Sequence, residues 1–101
     1  MNKDDRPRYV ISIAAEILST RTYTLRYYEK VGIIKPYRSP GNLRLYSDSD
    51  IALLHRVMTL MEDLGVNLAG VEDILRMSKR MAELKQANEE LKSEIERFRR
   101  V

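Results

Sequence analysis

Basic and aromatic side chains are concentrated in one short part of this 101-residue chain. Arginine and lysine can bind phosphates and base edges, and tyrosine and threonine hydroxyls add hydrogen bonds to either. Residues 20–46 contain six basic side chains and the single acid Glu29, a net +5, whereas residues 47–77 contain six acids and two arginines, a net −4. Such segregation is typical of a face that binds a polyanion beside a body that does not. On charge alone, a merely solvated run of charge is an equal alternative.

The first candidate contact surface is a predicted helix over residues 22–31. Leu25 and Tyr28 are three residues apart and share one helical face, so we expect both to pack inward. If this helix lies in a DNA major groove, the opposite face is the one that contacts the bases and phosphates. The side chains predicted to contact DNA from this helix and its N-terminus are Arg21, Thr22, Tyr23, Arg26, Tyr27 and Lys30. Packing is the alternative for the aromatic cluster, and we favour it only for Tyr28.

The second candidate surface is a predicted β-hairpin, or wing, over residues 33–46. Residues 39–42 form the turn-prone group Ser-Pro-Gly-Asn, and both flanking runs contain tyrosine and arginine. A hairpin of this kind can reach the DNA backbone or a minor groove. The predicted wing contacts are Arg38, Asn42, Arg44 and Tyr46. A solvated hairpin that binds nothing is the alternative.

Short elements before the wing are needed to position these surfaces. Residues 9–11 predict a strand, and Ser12 is a candidate N-cap for a helix over residues 13–18. A polar turn then leads into the second helix, which Gly32 ends. Two short helices joined by a tight turn predict a helix-turn-helix.

Two further helices are predicted after the wing. The group Ser-Asp-Ser-Asp at residues 47–50 supplies an N-cap and first-turn carboxylates for the first, which ends at residues 64–65. Asn67 caps the second, and Gly70 inside it predicts close backbone packing, because glycine there costs about 1 kcal/mol relative to alanine. The side chains predicted to pack inward are Ile51, Leu54, Met58 and Met61 in the first helix and Leu68, Val71, Ile74 and Leu75 in the second.

The C-terminal part carries an unbroken heptad pattern. From Ile74 onward, a and d positions follow one register over more than three heptads. Such a seam needs a partner helix, and Asn88 at an a position is a residue that sets register and oligomeric state. The predicted dimer contacts are Met77, Met81, Leu84, Asn88, Leu91, Ile95 and Phe98. A helix packed on its own domain is the alternative.

Composition and motifs exclude several classes of protein. We divide the chain into an N-terminal arm (residues 1–8), a DNA-binding domain (9–77) and a coiled-coil helix (78–101). It has no cysteine, no signal-peptide pattern and no segment that approaches a membrane span. We therefore expect a cytoplasmic protein without metal, cofactor or membrane contact. His55, the only histidine, has no catalytic residues in company, so we expect no enzyme.

The order of these elements resembles the MerR family of bacterial regulators. Residues 24–29 (Thr-Leu-Arg-Tyr-Tyr-Glu), followed by 32–34 and Pro36, are similar to the family's recognition helix and its exit, and residues 42–47 (Asn-Leu-Arg-Leu-Tyr-Ser) to its wing. The resemblance covers about residues 9–98. It implies a mainly α fold, a winged helix-turn-helix DNA-binding domain with a small β-hairpin wing, followed by a C-terminal dimerisation coiled-coil helix.

The resemblance also implies a mode of action. Residues 65–71 are similar to the heat-shock repressor (HspR-like) subgroup, which implies a stress-response repressor with a chaperone such as DnaK as a possible partner. A homodimer with an antiparallel coil would bind an inverted repeat in double-stranded DNA through Arg26, Tyr27 and Arg44. Residues 21–23 depart from the commonest wording of the family, so the operator sequence does not carry over.

Two alternatives stay open. Lys85, Lys92 and Arg99 all occupy e positions and would repel across an antiparallel pair, whereas a parallel pair could match Glu94 with Arg99. The chain also resembles chaperone-modulator proteins, which use a MerR-like body and a helical tail to bind a J-domain cochaperone. The basic helix and wing have no obvious purpose on such a module, which favours DNA binding.

Overall fold

A computed structural model describes residues 3–100, and the chain divides into two compact units after Gly65. The elements of the first unit are a 3-10 helix (Lys3–Asp5), β1 (Tyr9–Val10), α1 (Ile11–Ile17), α2 (Thr22–Lys30), β2 (Tyr37–Arg38), β3 (Arg44–Tyr46), α3 (Asp48–Met58) and a π-helical turn (Thr59–Asp63). The second unit contains one long helix, α4 (Leu68–Arg99). This mainly helical architecture with a small sheet confirms the predicted fold class.

The first helix of the helix-turn-helix begins earlier than predicted. α1 begins at Ile11, directly after β1, and its N-cap is Val10, which makes no side-chain capping hydrogen bond. Ser12 therefore lies inside the first turn, and its prediction as the N-cap is wrong. The chain passes from β1 directly into α1 at Val10, so the helix begins before the polar side chain of Ser12 is reached.

The turn between α1 and α2 is closed by backbone hydrogen bonds. Ser19 has a left-handed conformation, with φ of 53°. Its N–H donates to the carbonyl of Glu16 at 3.1 Å, and the N–H of Thr20 donates to that of Ala15 at 2.9 Å. This is a Schellman motif. α2 ends in the same way at Gly32, whose φ is 87°, and this confirms the predicted end of the helix.

The three strands form one antiparallel sheet in the order β1-β3-β2. β2 and β3 form the predicted hairpin, in which Arg38 lies opposite Arg44. β1 pairs with the other edge of β3, where Tyr9 lies opposite Tyr46. The sequence pattern does not predict this second pairing, which ties the wing to the strand that precedes the helix-turn-helix.

Helical spacing accounts for most of the core of the first unit. Its buried apolar residues are Ala14, Ala15, Leu18, Leu25, Tyr28, Ile34, Tyr46, Leu54 and Val57. The burial of Leu25 and Tyr28 confirms that α2 packs through this face. Val57 was not predicted, but it lies three residues after Leu54 and so shares its side of α3.

The start and end of α3 agree with the sequence pattern. The hydroxyl of Ser47 accepts a hydrogen bond from the N–H of Asp50, and the Asp50 carboxylate accepts one from the N–H of Ser47. This capping box makes Ser47 the N-cap and confirms that residues 47–50 supply the cap of this helix. The helical path continues through the π-helical turn, and Gly65 follows with φ of 70°.

α4 is one continuous helix. Asn67 is its N-cap, as predicted, and the side-chain oxygen of Asn67 accepts a hydrogen bond of 2.8 Å from the N–H of Gly70. A Cβ atom added at Gly70 would lie 2.8 Å from Cγ1 of Val66. The crowding at this glycine therefore comes from a side chain near the helix start, not from a neighbouring backbone. The predicted domain boundary between residues 77 and 78 falls inside α4, where no break in the helix marks it.

Candidate nucleic-acid interface

The outward face of α2 combines positive charge with exposed aromatic rings. The exposed side chains on and just before this helix are Arg21, Tyr23, Arg26, Tyr27 and Lys30, and Thr22 is half-buried. Tyr23 is 66% exposed and Tyr27 is 45% exposed. Because Leu25 and Tyr28 anchor the other face in the core, the rotation of α2 about its axis is fixed with the basic face outward. Such a face can donate hydrogen bonds to phosphates and base edges.

Glu29, near the end of α2, joins this helix to the wing. Nε of Arg44 donates to Oε1 of Glu29 at 2.7 Å, and Nη2 of Arg38 donates to Oε2 at 2.9 Å. Glu29 and Arg44 are partly buried, whereas Arg38 is exposed. The two predicted wing arginines therefore lie beside the predicted recognition helix, with one carboxylate between them. In the sequence Glu29 is only the single acid of a basic stretch, and neither helical nor strand spacing predicts these bonds.

The Glu29 carboxylate is stabilised in its ionised form. Burial raises its pKa, but hydrogen bonds and positive charge from Arg44 and Arg38 together lower it more, so the pKa lies below its ordinary value. The cluster of one carboxylate and two guanidinium groups therefore keeps a net positive charge at neutral pH.

The wing tip is a tight turn with an exposed amide. Asn42 has φ of 63°, a conformation that asparagine tolerates better than most residues. Its N–H donates to the carbonyl of Ser39 at 2.8 Å, and the N–H of Leu43 donates to Oγ of Ser39 at 3.1 Å. Asn42 is exposed at the end of the hairpin, where the sequence pattern places it.

Tyr46 differs from the other predicted contacts. Its side chain is fully buried, and its hydroxyl has no hydrogen-bond partner in the described part of the chain. Burial raises the pKa of this phenol. The prediction that Tyr46 contacts DNA is therefore corrected, because a core side chain cannot reach a ligand. Tyr46 lies where β3 pairs with β1, so it belongs to the central sheet and not to the projecting wing.

A polar cluster that the sequence analysis missed fastens the N-terminal segment to α3. Nη1 of Arg8 donates to Oδ2 of Asp48 at 2.7 Å, and the hydroxyl of Tyr9 donates to Oδ1 at 2.8 Å. The hydroxyl of Ser49 donates to Oδ1 of Asp5 at 2.8 Å. The guanidinium carbon of Arg8 also lies 5.1 Å from the ring centre of Tyr9. From its position in the sequence, Asp48 is expected only to be a negative charge at the start of a helix. Its bonds to Arg8 and Tyr9 could not be predicted.

α4 exposes an apolar seam. Its a and d residues from Met77 onward are apolar except Asn88, and each apolar one is at least 53% exposed. These residues are Met77, Met81, Leu84, Leu91, Ile95 and Phe98. Asn88 is exposed in the same row. The seam is a contiguous surface of the kind that a second helix covers.

Other kinds of site find little support in residues 3–100. In this range, no group of three or more histidine, cysteine, aspartate or glutamate side chains is placed to hold a metal ion. His55 is exposed on α3. None of the described helices has both the length and the apolar character needed to cross a membrane.

Residues 9–78 match the family described as MerR HTH family regulatory protein. A Streptomyces coelicolor protein that bears the name heat shock protein HspR is 40% identical over 93 residues, which cover 92% of this chain and 62% of that protein. The HTH-type transcriptional regulator GlnR of Bacillus anthracis is 33% identical, over 89% of this chain and 71% of GlnR. The chain thus spans less than two thirds of the length of the HspR protein.

A solved structure shows the same fold. HiNmlR, described as a MerR family regulator that lacks the sensor domain and is bound to promoter DNA, superposes with a TM-score of 0.63. The alignment covers 91% of this chain and 76% of HiNmlR at 22% sequence identity. At this identity the likeness concerns the fold alone.

Proposed function

The chain belongs to the MerR family of helix-turn-helix regulatory proteins, and from this premise we propose that it is a sequence-specific, DNA-binding transcriptional regulator. It acts as a homodimer on an inverted repeat. The family is one of regulators, so the chain is not an enzyme. Similarity to the protein named heat shock protein HspR supports a repressor role in a stress response.

The arrangement of α2 and the wing is the observation that carries this proposal. Arg26 and Tyr27 are exposed on the face of α2 opposite the core, which supports the proposal that they contact a major groove. Arg38 and Arg44 reach the same helix through Glu29. Their remaining N–H donors would bind phosphates or a minor groove at the edge of that major-groove contact. Arg21, Thr22, Tyr23 and Lys30 on the helix side and Asn42 at the wing tip complete the proposed contact set.

The exposed seam of α4 supports a homodimer. In an antiparallel coiled coil, a residues of one helix meet d residues of the other. If the pair is centred on Gln86, Leu84 meets Asn88 of the second copy, Met81 meets Leu91, and the full apolar seam is covered. Two DNA-binding units held on one coil would bind two half-sites far more tightly than either unit would alone.

DNA selection followed by titration tests the proposed function. The full chain is mixed with sheared genomic DNA, and the bound fragments are recovered and sequenced. We expect an inverted repeat to be enriched. The recovered duplex is then titrated at two salt concentrations beside a duplex of scrambled sequence. Phosphate contacts release counterions, so affinity should fall steeply as salt rises, while the selected duplex keeps its advantage over the scrambled one.

The same experiment identifies the competing class of protein. Fragments without a common repeat and an affinity that does not respond to salt would contradict DNA regulation. They would favour the chaperone-modulator class, which binds a J-domain cochaperone. We also propose a chaperone such as DnaK as a protein partner, supported by the similarity to the heat shock protein. Retention of purified DnaK by the immobilised chain, but not by a carrier protein, tests this partner.

A further inference from the structure

We propose that Glu29 is a positioning residue for DNA recognition, which sets the orientation of Arg38 and Arg44 and raises the preference for the correct site over other DNA. The inference rests on the proposed function. It concerns the one acid within the basic stretch of residues 20–46. A carboxylate beside a phosphate-binding surface lowers affinity for DNA in general, so its presence there needs a physical reason.

The wing contains a like-charge pair that needs a counterion. Arg38 and Arg44 are directly opposite each other in the register of β2 and β3. Like charges at directly opposed strand positions are destabilising. Glu29 accepts one hydrogen bond from each arginine, on different carboxylate oxygens, at 2.9 and 2.7 Å. The carboxylate therefore turns a repelling pair into a bonded triad.

The geometry of the two bonds leaves donors for DNA. Arg44 bonds to Glu29 through Nε, so its two terminal nitrogens are not part of that bond. Arg38 uses Nη2 in the same way, and Nη1 is directed to the carbonyl of Asn42 at 3.5 Å. The bond to Glu29 thus fixes the orientation of each planar guanidinium group through one of its edges. The other N–H groups of that guanidinium stay available to a DNA acceptor.

Glu29 also fixes the distance between the wing and the recognition face of α2. It lies on α2, three residues after Arg26, so the wing arginines are held at a set position relative to the recognition face. A site with matching groove geometry receives both sets of contacts without reorganisation. DNA that is bound only by charge needs no such alignment and is repelled by the carboxylate. Glu29 therefore favours specific binding and opposes non-specific binding.

The variant Glu29→Gln tests this inference on the full chain. Asp63→Asn is the matched control, because it removes one negative charge at an exposed position of the same unit, away from the triad. Affinities are measured for the selected duplex and for the scrambled duplex. With Glu29→Gln we expect affinity for the selected duplex to fall by about tenfold. This is near the low end of the fall in affinity that follows removal of one DNA-contacting arginine. Affinity for the scrambled duplex should stay equal or rise. Asp63→Asn should leave the ratio of the two affinities unchanged.

A second variant separates position from charge. Glu29→Asp keeps the negative charge but shortens the side chain by one methylene, so it cannot reach both guanidinium groups as Glu29 does. We expect the same loss of preference for the selected duplex over the scrambled one. The midpoint of thermal unfolding, measured on the same variant, should show that the chain is folded. A wild-type ratio in both variants would overturn the inference while leaving the proposed function intact. If the wild-type chain itself shows no preference for a selected duplex, the proposed function fails instead.

Discussion

The hydroxyl of Tyr9 donates a hydrogen bond of 2.8 Å to Oδ1 of Asp48, a residue 39 positions further along the chain. Arg8 occupies the other carboxylate oxygen at 2.7 Å. The two bonds fasten β1 and the residue before it to the first turn of α3. The hydrogen bond from Tyr9 lowers the pKa of Asp48, burial opposes this, and Arg8 lowers it further, so the net pKa lies below its ordinary value.

Acid should therefore weaken the fold through Asp48. The unfolded chain takes up this proton near the ordinary pKa of about 3.9, whereas the folded chain takes it up only at lower pH. The stabilisation is complete above the unfolded value and is lost as pH falls through the folded one. Urea unfolding at pH 7 and at about pH 3.5 measures it. Asp48→Asn should show a smaller drop than wild type, and Asp63→Asn the same drop. An Asp48→Asn chain with the wild-type drop would contradict this role.

Arg26 should contribute directly to DNA affinity. Arg26→Ala is expected to weaken binding to the selected duplex by about 1–3 kcal/mol, because a positioned arginine contact is removed. The dimer should remain intact, since Arg26 lies on α2 and not on the seam of α4. The control is Arg76→Ala, which removes an exposed arginine whose bond is an intrahelical one to Asp73. Unchanged affinity in Arg26→Ala would remove this residue from the contact set.

Local sequence signals predict the elements well and their long-range contacts poorly. Gly32 and Ser47 mark helix ends correctly because the relevant hydrogen bonds join residues a few positions apart. The burial of Tyr46 was not predicted, because it depends on the pairing of β1 with β3. Tyr9, which lies opposite Tyr46 in that pairing, is 37 positions earlier in the chain. The left-handed backbone of Ser19 has no signal in residue type, since glycine or asparagine is the usual choice there.

The candidate site shows the same division. The outward position of Arg26 follows from helical periodicity and from the burial of Leu25 alone. The bonds of Glu29 to the wing join residues 9 and 15 positions apart in two different elements. No sequence periodicity relates the residues of a helix to those of a neighbouring hairpin. The count of charges therefore locates the basic region, but only the folded structure shows that Glu29 bonds to Arg38 and Arg44.

The seam of α4 should be required for assembly. Replacing Leu84 and Leu91 with lysine places two charges in the proposed dimer contact, so we expect monomers in sedimentation experiments. Affinity for the inverted repeat should fall strongly, because the two half-sites are no longer bound by one linked particle. Lysine at Gln86 and Ser93 adds the same charge outside the a and d positions and should leave the dimer intact. A wild-type chain that sediments as a monomer would contradict the dimer itself.

Cysteine cross-linking decides the direction of the coil, since the natural chain contains no cysteine. In the antiparallel pair centred on Gln86, Met77 faces Ile95 of the second copy. Met77→Cys and Ile95→Cys chains should therefore stay uncross-linked when oxidised separately and form a disulfide dimer when mixed. In a parallel pair each residue faces the same residue of the second copy. Each variant would then form a disulfide dimer by itself, and mixing the two variants would give no additional cross-link. The basic e residues Lys85 and Lys92 disfavour the antiparallel pair, but exposed charges of this kind contribute only about 0.2–1 kcal/mol each. Since the antiparallel direction is the one that the resemblance to the MerR family implies, we expect the mixed disulfide.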